Sequence, residues 1–272
     1  KWDGIRLQVS AGRDDKGGRL LRLYSRTGEE TTAAFPDLAD ALGAIGASDF
    51  ALDGELLVLR DGRVQSFATL QQRLNRKTVT AKLVADYPAH LRAYDIIALE
   101  GEDLRALPFL ERRARLEQFV GGADCPHLDI SPLVGFSDWP SLALARKNPA
   151  EAGAGEDGAA VEGIMLKRRD SLYVAGRPTG PWFKWKRAPF NIDAVLMDAQ
   201  RGHGKRSSFY SDYTFGVWRA GADGDELVPV GKAYFGFTDE ELARIDRYVR
   251  NNTRERFGPV RVVEHGAEKG LV

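Results

Sequence analysis

The segment FALDGELLVL (50–59) sets two carboxylates into an otherwise apolar run. It reads as a strand interrupted by Gly54. Side chains alternate along a strand, so Asp53 and Glu55 point to one face. Two carboxylates turned only toward a core are costly. A sugar hydroxyl or a divalent metal would justify them; an edge strand with a solvated face is the alternative. Gly54, between them, leaves room for another backbone or a ligand to come close.

More strand patterns lie on either side. IRLQV (5–9) and LLRLYS (20–25) flank the turn-rich GRDDKGG as a hairpin would. LRAYDIIAL (91–99) is another strand, and GIMLKRR (163–169) pairs with WFKWKR (182–187) across a connection containing Gly and Pro. AVLMDAQ (194–200), FYSDYTFGVW (209–218) and LVPVGKAYF (227–235) follow. Helical spacing marks FPDLADALGAI (35–45), SFATLQQRL (66–74) behind a serine cap, and LPFLERRARLEQFV (107–120). In TDEELARIDRYV (238–249), Thr238 and Glu241 have the spacing of a capping box. NPAEAGAGEDGAA (148–160) is poor in large hydrophobes and reads as a surface loop or a frayed helix end. A domain break is expected at RAPFNID (187–193), where a basic-aromatic strand ends, a proline intervenes and a new run of strands begins.

The 272 residues suffice for two domains, and 43% hydrophobic with 29% charged residues is the composition of a soluble globular protein. Lys+Arg and Asp+Glu are both 39, so the formal net charge is zero. That argues against a protein held on nucleic acid by bulk charge alone and leaves room for a local basic groove. The single cysteine, Cys125, excludes an internal disulfide and a cysteine-based zinc cluster. It reads as a small buried hydrophobe, and a reducing, cytoplasmic compartment fits. No apolar run approaches the ~20 residues of a membrane span, and no signal peptide is visible.

Lys1 opens KWDGIR. A lysine can be a covalent nucleophile, but its free pKa is about 10.4. Burial or neighbouring positive charge must lower it first. WFKWKR offers such charge, because Lys184 and Lys186 share one face of a strand. Meeting Lys1, they would favour a neutral amine on one of the three and would hold a polyphosphate. VEGIMLKRRD supplies Glu162 ahead of Lys167, Arg168 and Arg169. SRTGE supplies Arg26 in a polar turn, and YDII supplies Tyr94 ahead of an apolar run. Taken singly, Tyr94 reads as a core aromatic, Arg26 as a solvated turn residue and Glu162 as a surface carboxylate.

Their order carries more than any one of them. The series KWDGIR, SRTGE, LDGE, YDIIALEGEDL, EGIMLKRR and WFKWKR runs through the first 187 residues. It resembles the ordered motifs of the covalent nucleotidyltransferases, and in particular the adenylation domain of ATP-dependent DNA ligases. Among these it is similar to the bacterial ligase domains of repair and end joining. The resemblance implies an α+β fold: an adenylation domain of ATP-grasp-like antiparallel sheets with helices over 1–187, then a β-barrel OB-fold over 188–272.

The resemblance also assigns roles. Lys1 matches the lysine that attacks the ATP α-phosphate and becomes lysyl-AMP. Arg6 matches the arginine that helps hold the nick and the AMP, and Arg26 a residue on the ribose or phosphates. Glu55 matches the ribose-contacting carboxylate, with a share in metal binding, and Tyr94 the aromatic stacked on adenine. Glu162 matches the metal-binding carboxylate, and Lys184 and Lys186 the pair on the α-phosphate. The implied reaction loads AMP onto the lysine, passes it to the 5′-phosphate at a nick, and seals the nick by attack of the 3′-hydroxyl. Magnesium or manganese is required.

The implied partner is nicked duplex DNA, with repair proteins or fused domains as further partners and a monomer as the working form. The basic, glycine-rich RGHGKRSS (201–208) is either a solvated hairpin loop or a DNA-backbone contact through Arg201, Lys205 and Arg206. Arg73, with Arg76 and Lys77, forms a second such set. The family also carries adenine-contacting residues ahead of the lysine and a late basic motif, and neither falls within residues 1–272. Lys1 is therefore expected to be internal in the native protein, and residues 1–272 alone to charge poorly with ATP. An RNA ligase or capping-type guanylyltransferase on the same scaffold is the alternative enzyme, separable by nucleotide preference. A non-catalytic nucleic-acid-binding module is the alternative class; the intact set Lys1, Glu55, Glu162, Lys184 and Lys186 argues against it.

Overall fold

The strand that carries Asp53 and Glu55 lies inside a sheet, not at its edge. The computed structural model describes the chain apart from residues 75, 77, 177–178, 189–190, 202–209, 222–223, 235, 259, 266–267 and 272, with backbone alone at 260, 262, 264–265 and 268–271. The chain packs as two compact units, Lys1–Ala188 and Pro189–Val272.

In the first unit the strands are β1 (Ile5–Arg13), β2 (Arg19–Ser25), β3 (Phe50–Arg60), β4 (Arg63–Val64), β5 (Ala89–Leu99), β6 (Glu102–Asp103), β7 (Leu128–Ile130), β8 (Gly163–Lys167) and β9 (Trp182–Lys186). The helices are α1 (Pro36–Gly43), α2 (Phe67–Gln71), α3 (Ala81–Asp86), α4 (Phe109–Gly122) and α5 (Trp139–Lys147). The main sheet runs β2-β1-β3-β5-β6, with β4 folded onto β3 and β7 beside β5. The β5–β7 pair is parallel, a departure from the antiparallel expectation; the other pairs are antiparallel. β8 and β9 form a separate antiparallel ribbon.

β3 sits between β1 and β5, which removes the solvated-edge alternative for its carboxylates. Leu52, Leu56 and Val58 of β3 are buried with Leu38 and Leu42 of α1 and Leu116 and Phe119 of α4. Gly54 serves the sheet itself. A Cβ there would lie 2.6 Å from Leu91 Cδ1 and 3.1 Å from the Arg92 carbonyl oxygen, so the backbone that comes close is β5. Ser66 caps α2 by accepting the Thr69 N–H, as its place in the sequence implies. Cys125 is half-buried against the core.

Residues 148–160 are not a loose loop. They wind into two short helical turns, Ala150–Ala154 and Gly155–Ala160. Ala160 is buried with Trp2 and Leu57, and Asp157 accepts the Val64 N–H at 3.0 Å. Small residues are needed there because the turns lie close: a Cβ on Gly158 would meet Ala150 Cβ at 3.0 Å.

The second unit holds β10 (Val195–Arg201), β11 (Tyr210–Gly221) and β12 (Gly224–Ala233) in one antiparallel sheet. After α6 (Asp239–Asn251) come β13 (Thr253–Phe257), β14 (Val260–His265) and β15 (Glu268–Leu271) in another. Tyr210, Tyr213, Leu242 and Val249 form its core. The capping box of Thr238 and Glu241 starts α6 as expected. Among the described residues, no helix is long and apolar enough to cross a membrane.

Candidate functional site

The site is built where the start of the chain lies against residues 160–163. Asp3 N–H donates to the Ala160 carbonyl at 2.8 Å and Glu162 N–H to the Lys1 carbonyl at 2.9 Å. Trp2 and Val161 form the bridge between them. Residues 1–3 thus run as a short strap along 160–163, and Lys1 Nζ pairs with Glu162 Oε1. The ribbon brings the second cation: Gly163 lies opposite Lys186, and Lys186 Nζ is 2.6 Å from Glu162 Oε2. Gly163 has φ 150°, and a Cβ there would lie 2.6 Å from Lys186 Cα and press on the Trp185 carbonyl. Glycine is what lets the ribbon close beside Glu162.

The charges interlock. Burial works against the Glu162 carboxylate, but hydrogen bonds from Lys1 and Lys186 outweigh it and hold its pKa below the ordinary value. Burial, then the charges of Lys1, Arg26 and Lys186, lowers Lys184. Lys186 is raised by its bond to Glu162. Burial pushes Glu55 up to about 7, with Lys1 pulling against it and Glu162 adding to it. Lys1, Arg26, Glu55, Glu162, Lys184 and Lys186 therefore share one electrostatic field.

Asp53 makes a second node. It is buried and accepts from Arg6 Nη2 at 2.7 Å and from the Tyr173 hydroxyl at 2.6 Å. Arg6 lies opposite Glu55 in the sheet and reaches diagonally to Asp53. A register shift then sets Asp53 opposite Asp95 and Gly54 opposite Ala93, so Tyr94 is the extra residue of a bulge. Burial, then the charges of Asp53 and Glu55, raises the Tyr94 phenol.

These elements compose a known domain. Residues 1–186 match the family model described as ATP dependent DNA ligase domain. The chain belongs to that family. A probable DNA ligase of Koribacter versatilis is 35% identical over 97% of this chain and 46% of its own length. A probable DNA ligase of Opitutus terrae is 37% identical over 97% of this chain and 27% of its own. The chain thus spans less than half the length of these curated relatives. The crystal structure of the ligase domain from M. tuberculosis LigD is 26% identical, with TM-score 0.52, covering all of this chain and 87% of that one. The mixed α/β nucleotidyltransferase-type fold follows.

The ligase domain gathers Lys1, Arg6, Arg26, Glu55, Tyr94, Glu162, Lys184 and Lys186 around the strap, the ribbon and the centre of the sheet. Arg73 does not belong with them or with a DNA surface. Its side chain has no exposure; it pairs with Asp37 at 2.7 Å and donates to the carbonyls of Tyr87 and Ala34. A buried guanidinium with these partners is a core tie between α1 and the turn after α2, which overturns the nucleic-acid role expected for Arg73. Arg76 is exposed and bonds the Gln72 carbonyl; Lys77 lies outside the described residues. Arg201 is exposed at the end of β10, whereas Lys205 and Arg206 lie outside the described residues.

Beside the site lies a buried charge cluster to which the motif series gives no role, although Lys167 and Asp95 fall within that series. Lys167 Nζ is 3.5 Å from Asp95 and sits among the rings of Tyr94, Phe109 and Trp182 at 5.0, 4.5 and 4.8 Å. Arg112 pairs with the same Asp95 at 2.8 Å. Tyr173 is also absent from the motif reading. The signal for it was only the tyrosine that follows KRRDSL, and nothing local shows that it reaches Asp53.

Among the described residues, no three of His, Cys, Asp and Glu converge as a metal cluster. Two carboxylates, Glu55 and Glu162, lie in the field of Lys1. Magnesium is commonly held by one or two carboxylates together with substrate phosphates, so this donor set fits an ion that arrives with a nucleotide.

Proposed function

We propose that this chain carries out ATP-dependent sealing of nicks in duplex DNA, with Lys1 as the covalent nucleophile. The carrying observation is the convergence of Lys1 and Lys186 on the two oxygens of Glu162. Lys1 Nζ attacks the α-phosphorus of ATP: a P–N bond forms, the bond to the bridging oxygen breaks, pyrophosphate leaves, and the amine gives its proton to solvent. Lys184 and Lys186 offset the charge that grows on the α-phosphate oxygens. Tyr94 stacks on adenine, while Glu55 and Arg26 hold the ribose and phosphates, which fixes the line of attack.

In the second step an oxygen of the 5′-phosphate at the nick attacks the same phosphorus. The P–N bond breaks, and Lys1 leaves as an amine that takes up a proton. In the third, the 3′-hydroxyl attacks the 5′-phosphorus and gives its proton to solvent; a phosphodiester bond forms, the bond to the AMP oxygen breaks, and AMP leaves. Arg6, tied to Asp53, holds the nick and the AMP. Glu162 and Glu55 would hold a magnesium or manganese ion, which when bound supplies positive charge to the phosphates.

Residues 1–187 are read as the adenylation domain and 188–272 as an OB-type unit, a reading supported by the antiparallel pairing of β10–β12 and of β13–β15. Arg201, with Lys205 and Arg206, is read as a DNA-backbone contact. The test is incubation of the intact native protein, not residues 1–272 alone, with α-labelled ATP and magnesium. Label that survives denaturation and alkali but is released by acid, as a P–N bond to lysine requires, and that is lost in Lys1→Ala, is expected. Label from GTP alone would turn the reading to capping chemistry, and no covalent label from either would overturn the catalytic reading.

A further inference from the structure

We infer that Arg92 is a positioning residue for the nucleophile, acting through Trp2; the inference rests on the lysyl-AMP reading above. Arg92 lies in β5 directly opposite Glu55. Its guanidinium carbon is 4.0 Å from the centre of the Trp2 ring. The guanidinium is fixed from behind by Asp129, which accepts from Nε at 2.9 Å and from Nη2 at 2.7 Å. On its other side, Nη1 is 3.8 Å from Asp157, in the turns that lead to Glu162.

Trp2 is locked on every side. It is 6% exposed, packs with Leu57 and Ala160, and donates from Nε1 to Ser131 Oγ at 3.2 Å. Neighbouring side chains on an extended strap point to opposite sides. A buried Trp2 ring therefore aims Lys1 the other way, toward Glu162. A planar guanidinium suits this duty, because it can stack on an indole and bond a carboxylate with two nitrogens at once. Arg92 touches none of the reacting groups. It sets the direction of the residue that does.

The clamp makes a claim about one step. Charging needs Lys1 in line with the α-phosphorus, whereas sealing a nick that already carries AMP does not use Lys1 as a nucleophile. In the intact protein, single-turnover lysyl-AMP formation, half-saturation by ATP, sealing of a pre-adenylated nick and thermal unfolding are measured for wild type, Arg92→Met, Arg92→Lys and Trp2→Phe. Arg92→Met is expected to slow charging by about 10- to 100-fold, with the other two kinetic readouts changed by less than about threefold. Arg92→Lys and Trp2→Phe, which keep a cation over an aromatic ring, are expected to fall between. They carry the same split should Arg92→Met fail to fold. Charging by Arg92→Met at the wild-type rate, or an equal fall in charging and in pre-adenylated sealing, overturns the clamp. A wild type that charges keeps these outcomes separate from the proposed function; one that takes no label sinks that function and the clamp with it.

Discussion

Glu162 bonds Lys1 through one carboxylate oxygen and Lys186 through the other. One acid thus positions the amine proposed to attack and a cation proposed to meet the phosphate. In Glu162→Gln the charge that orders both is gone. Charging with labelled ATP is expected to fall by about 100-fold. The melting temperature should scarcely move, because a partly exposed ion pair contributes about 1 kcal/mol or less. An unaltered charging rate would mean that the pairing is idle.

Lys184 and Lys186 share a face but are pulled in opposite directions, Lys184 lowered and Lys186 raised. An amine reagent attacks the neutral form. Acylation at limiting reagent, mapped by mass spectrometry, should modify Lys184 faster than Lys186. ATP should protect both. Equal rates without nucleotide would contradict the charge assignment.

Glu55 keeps its proton to about 7 in the folded protein, against an ordinary 4.5. Across that window the native state binds more protons than the unfolded one, so the Glu55 contribution weakens as pH rises. The shift corresponds to about 3 kcal/mol at full size. Urea unfolding of wild type and Glu55→Gln in parallel should show the wild type losing ground to the variant between pH 4.5 and 7. Below that window their difference should be flat. A pH-independent difference throughout would refute the burial argument.

Asp95 and Arg112 are both without exposure. Arg112→Met leaves Asp95 with Lys167 alone, and loss of one partner of a buried pair costs about 3–5 kcal/mol. Lys82→Met, which breaks an exposed pair with Asp86, should leave the denaturation midpoint within error of the wild type. Chemical denaturation of the two variants decides whether burial sets the size.

Elements with strong local patterns are legible in the sequence. The β1–β2 hairpin, the β8–β9 ribbon and the capping box of α6 all lie where alternation, turn residues and Thr238 with Glu241 put them. The residues that meet around Glu162 are ones that the ordered motifs name. What escapes is decided at a distance. QQRLNRKT reads as a basic surface, yet Arg73 finds Asp37 and two carbonyls that no window around it contains. A period of two sends Tyr94 and Asp95 to opposite faces, but the bulge sets Asp95 opposite Asp53 and still leaves Tyr94 near Glu55 and Arg6. Residues 148–160 look loose because they are small, and they are small because their turns pack closely.

The strap of residues 1–3 along 160–163 joins Lys1 to a carboxylate 161 positions away. Contacts so distant in sequence close late, after local hairpins have formed. During synthesis β1, β2 and β3 are complete long before Glu162 has been added. A nascent chain therefore carries the β1–β2 hairpin and a lysine with no acid to hold it, and the proposed nucleophile meets its carboxylate only once residue 163 has emerged and docked.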